Sequence, residues 1–111
     1  MILENMTPKE RIIEEVNKIP FGKVTSYGAI GKAIGTSGWA VGIVLSGLSE
    51  EECQGIAWQR VVAKNGAISS LKLGFRGNVQ INILESEGVE VINNSVEPQY
   101  FVDYQVNQEL L

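Results

Sequence analysis

The chain has 111 residues, which suffices for one core and leaves no room for a second domain. Apolar residues make 44% of it and charged residues 20%, a globular rather than a disordered balance. Nine Lys and Arg stand against thirteen Asp and Glu, a net charge of −4. That argues against a general polyanion binder, although net charge averages over faces and a local basic patch survives it.

The single Cys, Cys53, excludes an internal disulfide framework and a Cys-rich zinc site. There is no His, which removes Ser-His-Asp and Cys-His catalysis and imidazole metal ligation. No cofactor and no metal is expected. No apolar run reaches bilayer length, and the stretch from Met1 to Arg11 lacks the long apolar centre of a signal peptide. The expectation is a soluble cytoplasmic protein without membrane contact. The charges are unevenly spread. From Cys53 to Leu84 lie Arg60, Lys64, Lys72 and Arg76 without an acid, and from Lys23 to Ser49 lie Lys23 and Lys32 without one. This is either chance or one face that meets phosphate.

Thr7 and Pro8 predict a helix start, and Ile12, Ile13, Val16 and Ile19 recur at helical spacing until Pro20. Phe21-Gly22-Lys23 predicts a turn, followed by an extended Val24-Thr25-Ser26 whose hydroxyls can cap the next helix. Tyr27 to Ile34 reads as a short helix with Ile30, Ala33 and Ile34 inward, ended by Gly35. After Thr36-Ser37-Gly38, Trp39 to Leu48 reads as a second helix with Val41, Val44, Leu45 and Leu48 inward. Two short helices joined by about four residues that include Gly outline a helix-turn-helix.

Past the acidic Glu50-Glu51-Glu52, the stretch from Ile56 to Ala63 reads as extended. Lys64-Asn65-Gly66 predicts a hairpin turn into a short strand, Ala67-Ile68-Ser69. A loop rich in Ser, Lys and Gly runs to Gly77. Asn78 to Glu87 predicts a helix with Val79, Ile83 and Leu84 inward, ended by Gly88, and Val89-Glu90-Val91 a short strand. Tyr100, Phe101 and Tyr104 are expected to pack back on the body. The whole is a single domain over 1–111, with its motif core at about 7–92 and a tail, 93–111, packed on it. The fold class is mostly α with a small β-hairpin, a winged-helix-like helix-turn-helix domain.

Several runs then come in a familiar order. They are Ile19-Pro20-Phe21-Gly22-Lys23-Val24, Ser26-Tyr27-Gly28-Ala29-Ile30, Ala40-Val41-Gly42, Trp58-Gln59-Arg60-Val61-Val62, Asn65-Gly66 and Leu84-Glu85-Ser86-Glu87-Gly88-Val89. Together they resemble the DNA-binding domain of the O6-alkylguanine-DNA alkyltransferases. Those enzymes carry Pro-Cys-His-Arg at the reactive site, where this chain has Ala57-Trp58-Gln59-Arg60. A Trp there resembles the alkyltransferase-like proteins, which bind alkylated guanine in DNA without repairing it. The resemblance implies no catalytic residue. It implies a partner, double-stranded DNA containing alkylated guanine, with nucleotide excision repair proteins as possible further partners.

By the same resemblance Tyr27 helps rotate the target nucleotide out of the stack, Trp58 lines the pocket for the flipped base, and Val61 is a pocket wall. Glu87 matches the glutamate behind the enzymes' Cys and His, and is expected to be only a structural acceptor here. Trp39 stands where the family has an arginine finger, and an indole can wedge between bases as apolar side chains do. Leu48 replaces an Asn, Ala57 replaces the Pro, and the pocket loop Ser69-Ser70-Leu71-Lys72 lacks the enzymes' Tyr. Ser26, Gly38, Arg60 and Lys72 complete the DNA-binding set. For Arg60, holding the loop through backbone carbonyls is favoured over phosphate contact. Lys32, Lys64 and Arg76, taken singly, read as ordinary surface charges.

The residues by themselves leave other readings open. Trp58 can equally be a core aromatic, and Trp39 a packing or oligomer contact. Gly38, Ala40 and Gly42 suit a helix laid in a groove or close helix packing. Against the non-enzymatic DNA binder stand a true alkyltransferase, a helix-turn-helix regulator, and an interaction domain that has lost DNA binding. The enzyme would need a thiol at Trp58. The regulator would need Arg, Asn or Gln on the second helix, and Trp39 to Leu48 contains none.

Overall fold

Thr7 opens the first helix, α1 (Pro8–Val16), with a capping box. Its hydroxyl oxygen accepts from the Glu10 N–H at 3.1 Å, and the Glu10 carboxylate accepts from the Thr7 N–H at 2.9 Å. Such a cap stabilises a helix start by about 1 kcal/mol. The computed structural model describes residues 5–69 and 75–102 of the chain. Strand β1 (Thr25–Ser26) leads directly into α2 (Tyr27–Ile34), and of the two candidate caps Ser26 is the one used, its oxygen accepting from the Ala29 N–H. Gly35, in the left-handed region at φ 80°, ends α2. Ser37 then caps α3 (Gly38–Ser46), whose axis turns by 111° from that of α2. That angle is the one a helix-turn-helix uses.

Two glycines permit this turn. A Cβ on Gly31 would lie 2.6 Å from the Ser37 carbonyl carbon, and one on Gly38 would lie 2.9 Å from the Gly28 nitrogen. Gly38 therefore serves close helix packing, one of the two roles open to it in the sequence. Ala33, expected inward, is exposed.

The acidic triplet forms α4 (Glu50–Gln54) behind a second capping box from Ser49. Three acids suit the positive end of a helix. The extended stretch expected from Ile56 to Ala63 is shorter than predicted. Trp58–Arg60 close a 3₁₀ turn, and only Val61–Val62 extend as β2. β2 pairs in parallel with β1, Thr25 opposite Val61 and Ser26 opposite Val62. Lys64-Asn65-Gly66 does turn the chain, with the Gly66 N–H on the Ala63 carbonyl and the Ala63 N–H on the Ala67 carbonyl. Ala67 then makes a single antiparallel bridge to Ser95 rather than a full strand.

The hairpin lies further on, between β3 (Val91–Ile92) and β4 (Ser95–Val96). Its two turn residues, Asn93 and Asn94, have φ of 52° and 61°, the conformation a two-residue hairpin turn requires and Asn tolerates. The last long helix, α5 (Phe75–Ser86), starts three residues before the predicted Asn78. Leu84 is buried as expected, but Val79 is 39% exposed and Gln80 is only 1% exposed. Of the three predicted inward residues only Val79 turns outward, since Ile83 packs partly buried on the core, and Gln80 takes an inward place that was not predicted.

Two apolar clusters make the core. Ile12, Val16, Ile19, Ile30, Val41, Leu45, Leu48, Trp58 and Val61 form the first, under the helix-turn-helix. Val24, Val62, Ile68, Leu84, Val89, Val96 and Phe101 form the second, under the hairpin. The β1–β2 pair runs between them, its successive residues Val61 and Val62 feeding one cluster each. Phe101 packs back as predicted, bridged to Val24. Tyr104 and the rest of 103–111 lie outside the described residues. Among the described residues, no single helix is long and apolar enough to cross a membrane.

Candidate functional site

Trp58 sits on the 3₁₀ turn, 7% exposed, and the turn is held from three sides. The Asn17 side-chain oxygen, just past the end of α1, accepts from the Ala57 N–H at 2.8 Å. The buried amide of Gln80 on α5 donates to the Gln59 and Val61 carbonyls at 2.9 and 3.0 Å. The third anchor is Glu87. It takes two bonds from the Arg60 guanidinium, one from the Gln59 amide at 2.9 Å and one from the Gly22 N–H at 3.2 Å.

Burial raises the Glu87 pKa, but the hydrogen bonds from Arg60, Gln59 and Gly22 outweigh it and hold the carboxylate below its usual range. Gln59, which the sequence resemblance sets in the place of the enzymes' His, bonds to this carboxylate. Glu87 is the structural acceptor it was expected to be. Arg60 also donates to the Ile19 carbonyl at 2.8 Å and stacks over Phe21 at 5.7 Å. It holds the loop, and with all three guanidinium nitrogens so engaged it is no ready phosphate ligand.

In front of Trp58 lies a cavity of about 420 Å³ between α2, α3 and the turn. Tyr27, Trp39, Ile43, Trp58, Ser69 and Arg76 line it, with Gly38 and Gly42 at its α3 wall. The Ser69 hydroxyl donates to the Tyr27 hydroxyl oxygen at 3.1 Å, which joins α2 to the loop opposite. Trp39 is 77% exposed and Ile43, one turn along α3, is 50% exposed, so an unshielded apolar ridge borders the opening. Val61 is fully buried in the cluster with Trp58 and is not part of the lining. It backs the wall and does not form it.

The cavity combines apolar and aromatic walls with a few hydroxyls and one guanidinium, at one end of a helix-turn-helix. The 6-O-methylguanine DNA methyltransferase DNA-binding domain matches this chain over residues 7–89. Alkyltransferase-like protein 1 of Schizosaccharomyces pombe is 33% identical over 88 residues, covering 78% of this chain and 80% of the relative. The chain is an alkyltransferase-like member of this family.

A protein of Vibrio parahaemolyticus described as a DNA base-flipping protein is 41% identical over 83 residues, 73% of this chain and 79% of its own. The methylated-DNA–protein-cysteine methyltransferase of Saccharolobus islandicus is 39% identical over 80 residues, 72% of this chain. The alkyltransferase-like chain matches only 50% of that enzyme's length. Among solved structures, that of S. pombe Atl1 in complex with damaged DNA containing O6-carboxymethylguanine superposes with a TM-score of 0.77 at 29% identity. The match covers 84% of this chain and 92% of that one.

A second, larger groove of about 700 Å³ lies against Trp58 and is lined by Leu48, Cys53, Ile56, Val79 and Ile83 among others. The lone thiol of this alkyltransferase-like chain therefore borders that groove and not the cavity beside Tyr27. Arg76, read from sequence as an ordinary surface charge, is instead half-buried between the two. Its guanidinium donates to the Leu45, Ser46 and Leu48 carbonyls and to Cys53 Sγ, and lies 5.2 Å from the Trp58 ring centre.

Lys32 and Lys64 line one further cleft with Ser26, at the start of α2. Among the described residues neither is in an ion pair, whereas Lys9, Lys18 and Arg60 are. Two cations far apart in the sequence thus border one surface. Lys72 lies outside the described residues. Among those described, no group of acidic, Cys or His side chains could hold a metal.

Proposed function

We propose that this chain binds duplex DNA containing an O6-alkylated guanine, accepts the extruded base in the cavity beside Tyr27 and Trp58, and leaves the alkyl group in place. The bound protein then marks the site for nucleotide excision repair. The observation that carries the reading is Trp58. It lines a cavity whose lining contains no thiol, and by the sequence resemblance its indole takes the place of the enzymes' Cys. The chain has no His to activate the cavity's hydroxyls.

An indole wall offers a flipped base stacking area and excludes water from it. The weakened pair of an alkylated guanine lowers the energy needed to extrude the base, which favours the damaged nucleotide over its neighbours. The solved relative holding O6-carboxymethylguanine DNA, and the relative described as a base-flipping protein, support the same reading.

The test compares affinities for otherwise identical duplexes with and without O6-methylguanine, at stated salt. Tighter binding of the alkylated duplex is expected, and equal affinities would refute the reading. Intact-mass measurement after incubation with the alkylated duplex is expected to show an unmodified chain. A methyl adduct on Cys53 would restore the enzymatic reading. Stimulated excision of the lesion in a reconstituted repair reaction tests the marking step.

A further inference from the structure

We propose that Arg76 is a positioning residue that fastens the Trp58 ring to the C-terminal end of α3, and thereby sets the preference for alkylated over unmodified DNA. The inference rests on the base-binding reading above. Arg76 stands at the start of α5, yet among the described residues its guanidinium meets the end of α3, α4 and the Trp58 ring. Nη1 donates to the Leu45 and Ser46 carbonyls at 3.1 and 3.3 Å, and Nη2 to the Leu48 carbonyl at 2.9 Å. Leu45 and Ser46 belong to the last turn of α3 and Leu48 follows it; the Leu45 carbonyl also accepts from the Leu48 N–H at 3.3 Å, and a cation there meets the negative end of the helix dipole. Nη2 reaches Cys53 Sγ at 3.1 Å as well, which ties in α4.

The same planar group lies over the Trp58 indole at 5.2 Å. It lines both the 420 Å³ cavity and the 700 Å³ groove, so the Arg76–Trp58 pair forms part of the partition between them. A free Trp on a short 3₁₀ turn can rotate toward either space. A guanidinium whose nitrogens are held by backbone carbonyls removes that freedom by presenting a fixed flat surface to the ring. The pocket wall and the helix that carries Trp39 are then held in one geometry. A base entering the cavity finds the wall already oriented, and the ordering is not charged against binding.

The test uses Arg76→Met and Arg76→Lys in the full chain. Met fills similar apolar volume without donors, and Lys keeps the charge but lacks the planar fork. The ratio of affinities for the O6-methylguanine duplex over the unmodified duplex is expected to fall about tenfold in both variants. A purely structural Arg76 would weaken both duplexes alike and leave the ratio unchanged. In a Trp39→Phe background without DNA, Trp58 emission is expected to shift to the red and become more accessible to acrylamide when Arg76 is replaced.

A ratio retained by both variants, or an unchanged Trp58 emission, overturns the role of Arg76 while leaving the base-binding reading intact. Absence of any preference in the unsubstituted chain overturns that reading, and this role with it. Where a substitution unfolds the chain, nuclear magnetic resonance of the unsubstituted protein decides. The Trp58 indole and the amides of Ser46 to Leu48 are expected to shift together as alkylated duplex is added. Indole shifts without amide shifts would overturn the coupling.

Discussion

Trp58 and Trp39 are chemically alike and stand in different surroundings. Trp58 is clamped by a guanidinium on a turn fixed by Asn17, Gln80 and Glu87, and offers a preset surface. Trp58→Ala is expected to remove most of the preference for alkylated duplex, by the roughly 1–3 kcal/mol typical of a base stacked on an aromatic. Competition binding with both duplexes measures it. Trp39 stands free at the first turn of α3, where an indole can enter the base stack but carries no charge to hold phosphate. Trp39→Ala should weaken binding to DNA while leaving the salt dependence nearly unchanged, and Trp39→Arg should steepen that dependence by at most about one phosphate's worth. In a Trp58→Phe background, stacking of Trp39 on bases is expected to quench its fluorescence. Emission and affinities indifferent to both changes would make Trp39 a packing residue.

At the scale of elements, the helix-turn-helix depends on backbones that approach too closely for a side chain. Gly31→Ala puts a methyl 2.6 Å from the Ser37 carbonyl carbon, where only backbone can yield. An overpacking penalty of roughly 1–3 kcal/mol is expected, together with weaker DNA binding as α3 is displaced. Gly28→Ala, on the same helix with nothing within 4 Å of its added carbon, should raise stability, by up to about 1 kcal/mol from helix propensity. Denaturant melts of the two variants must differ in sign. The Ser26 cap adds a third case, since Ser26→Ala removes the acceptor for the Ala29 N–H and should lower stability by about 1 kcal/mol.

Across the whole molecule, Glu87 links the Trp58 turn, the loop before β1 and the end of α5 through one carboxylate. Its pKa is held below the ordinary glutamate range by those bonds against the opposing effect of burial. A lowered folded-state pKa means that the stabilisation is full above the ordinary glutamate value of about 4.3 and fades as pH falls through the depressed one. Glu87→Gln should therefore cost ~2 kcal/mol at neutral pH, and the gap to the unsubstituted chain should close in acid. Urea melts from neutral pH downwards check this, and a gap that widens in acid would contradict it. The electrostatics of DNA binding belong to the same scale. Lys32 and Lys64 border one cleft and, among the described residues, are in no ion pair within an acidic protein. Replacing either with Gln should weaken binding to both duplexes alike and lower the salt slope by roughly one.

Much of this was legible in the residues alone because it is local. Capping hydroxyls, terminal glycines and the spacing of Ile12, Val16, Ile30, Val41 and Leu45 act within a turn or two, so sequence determines α1, α2, α3 and the bend between them. The Trp at position 58 and the absence of His are likewise chemical facts that no fold can alter. Only the tertiary structure decided what depends on residues distant in the chain. The β1–β2 pair joins residues 36 apart and is two residues long, too short for any alternation to mark it. Gln80 was hidden by its polarity in a helix whose inward face was read from Val79, Ile83 and Leu84, although its place four residues before the buried Leu84 is the signal for a polar group turned inward to bond backbone. Arg76 looked like any exposed cation. Its role comes from α3 ending and Trp58 lying beside it, an arrangement of carbonyls and an indole that exists only once the two elements have packed together.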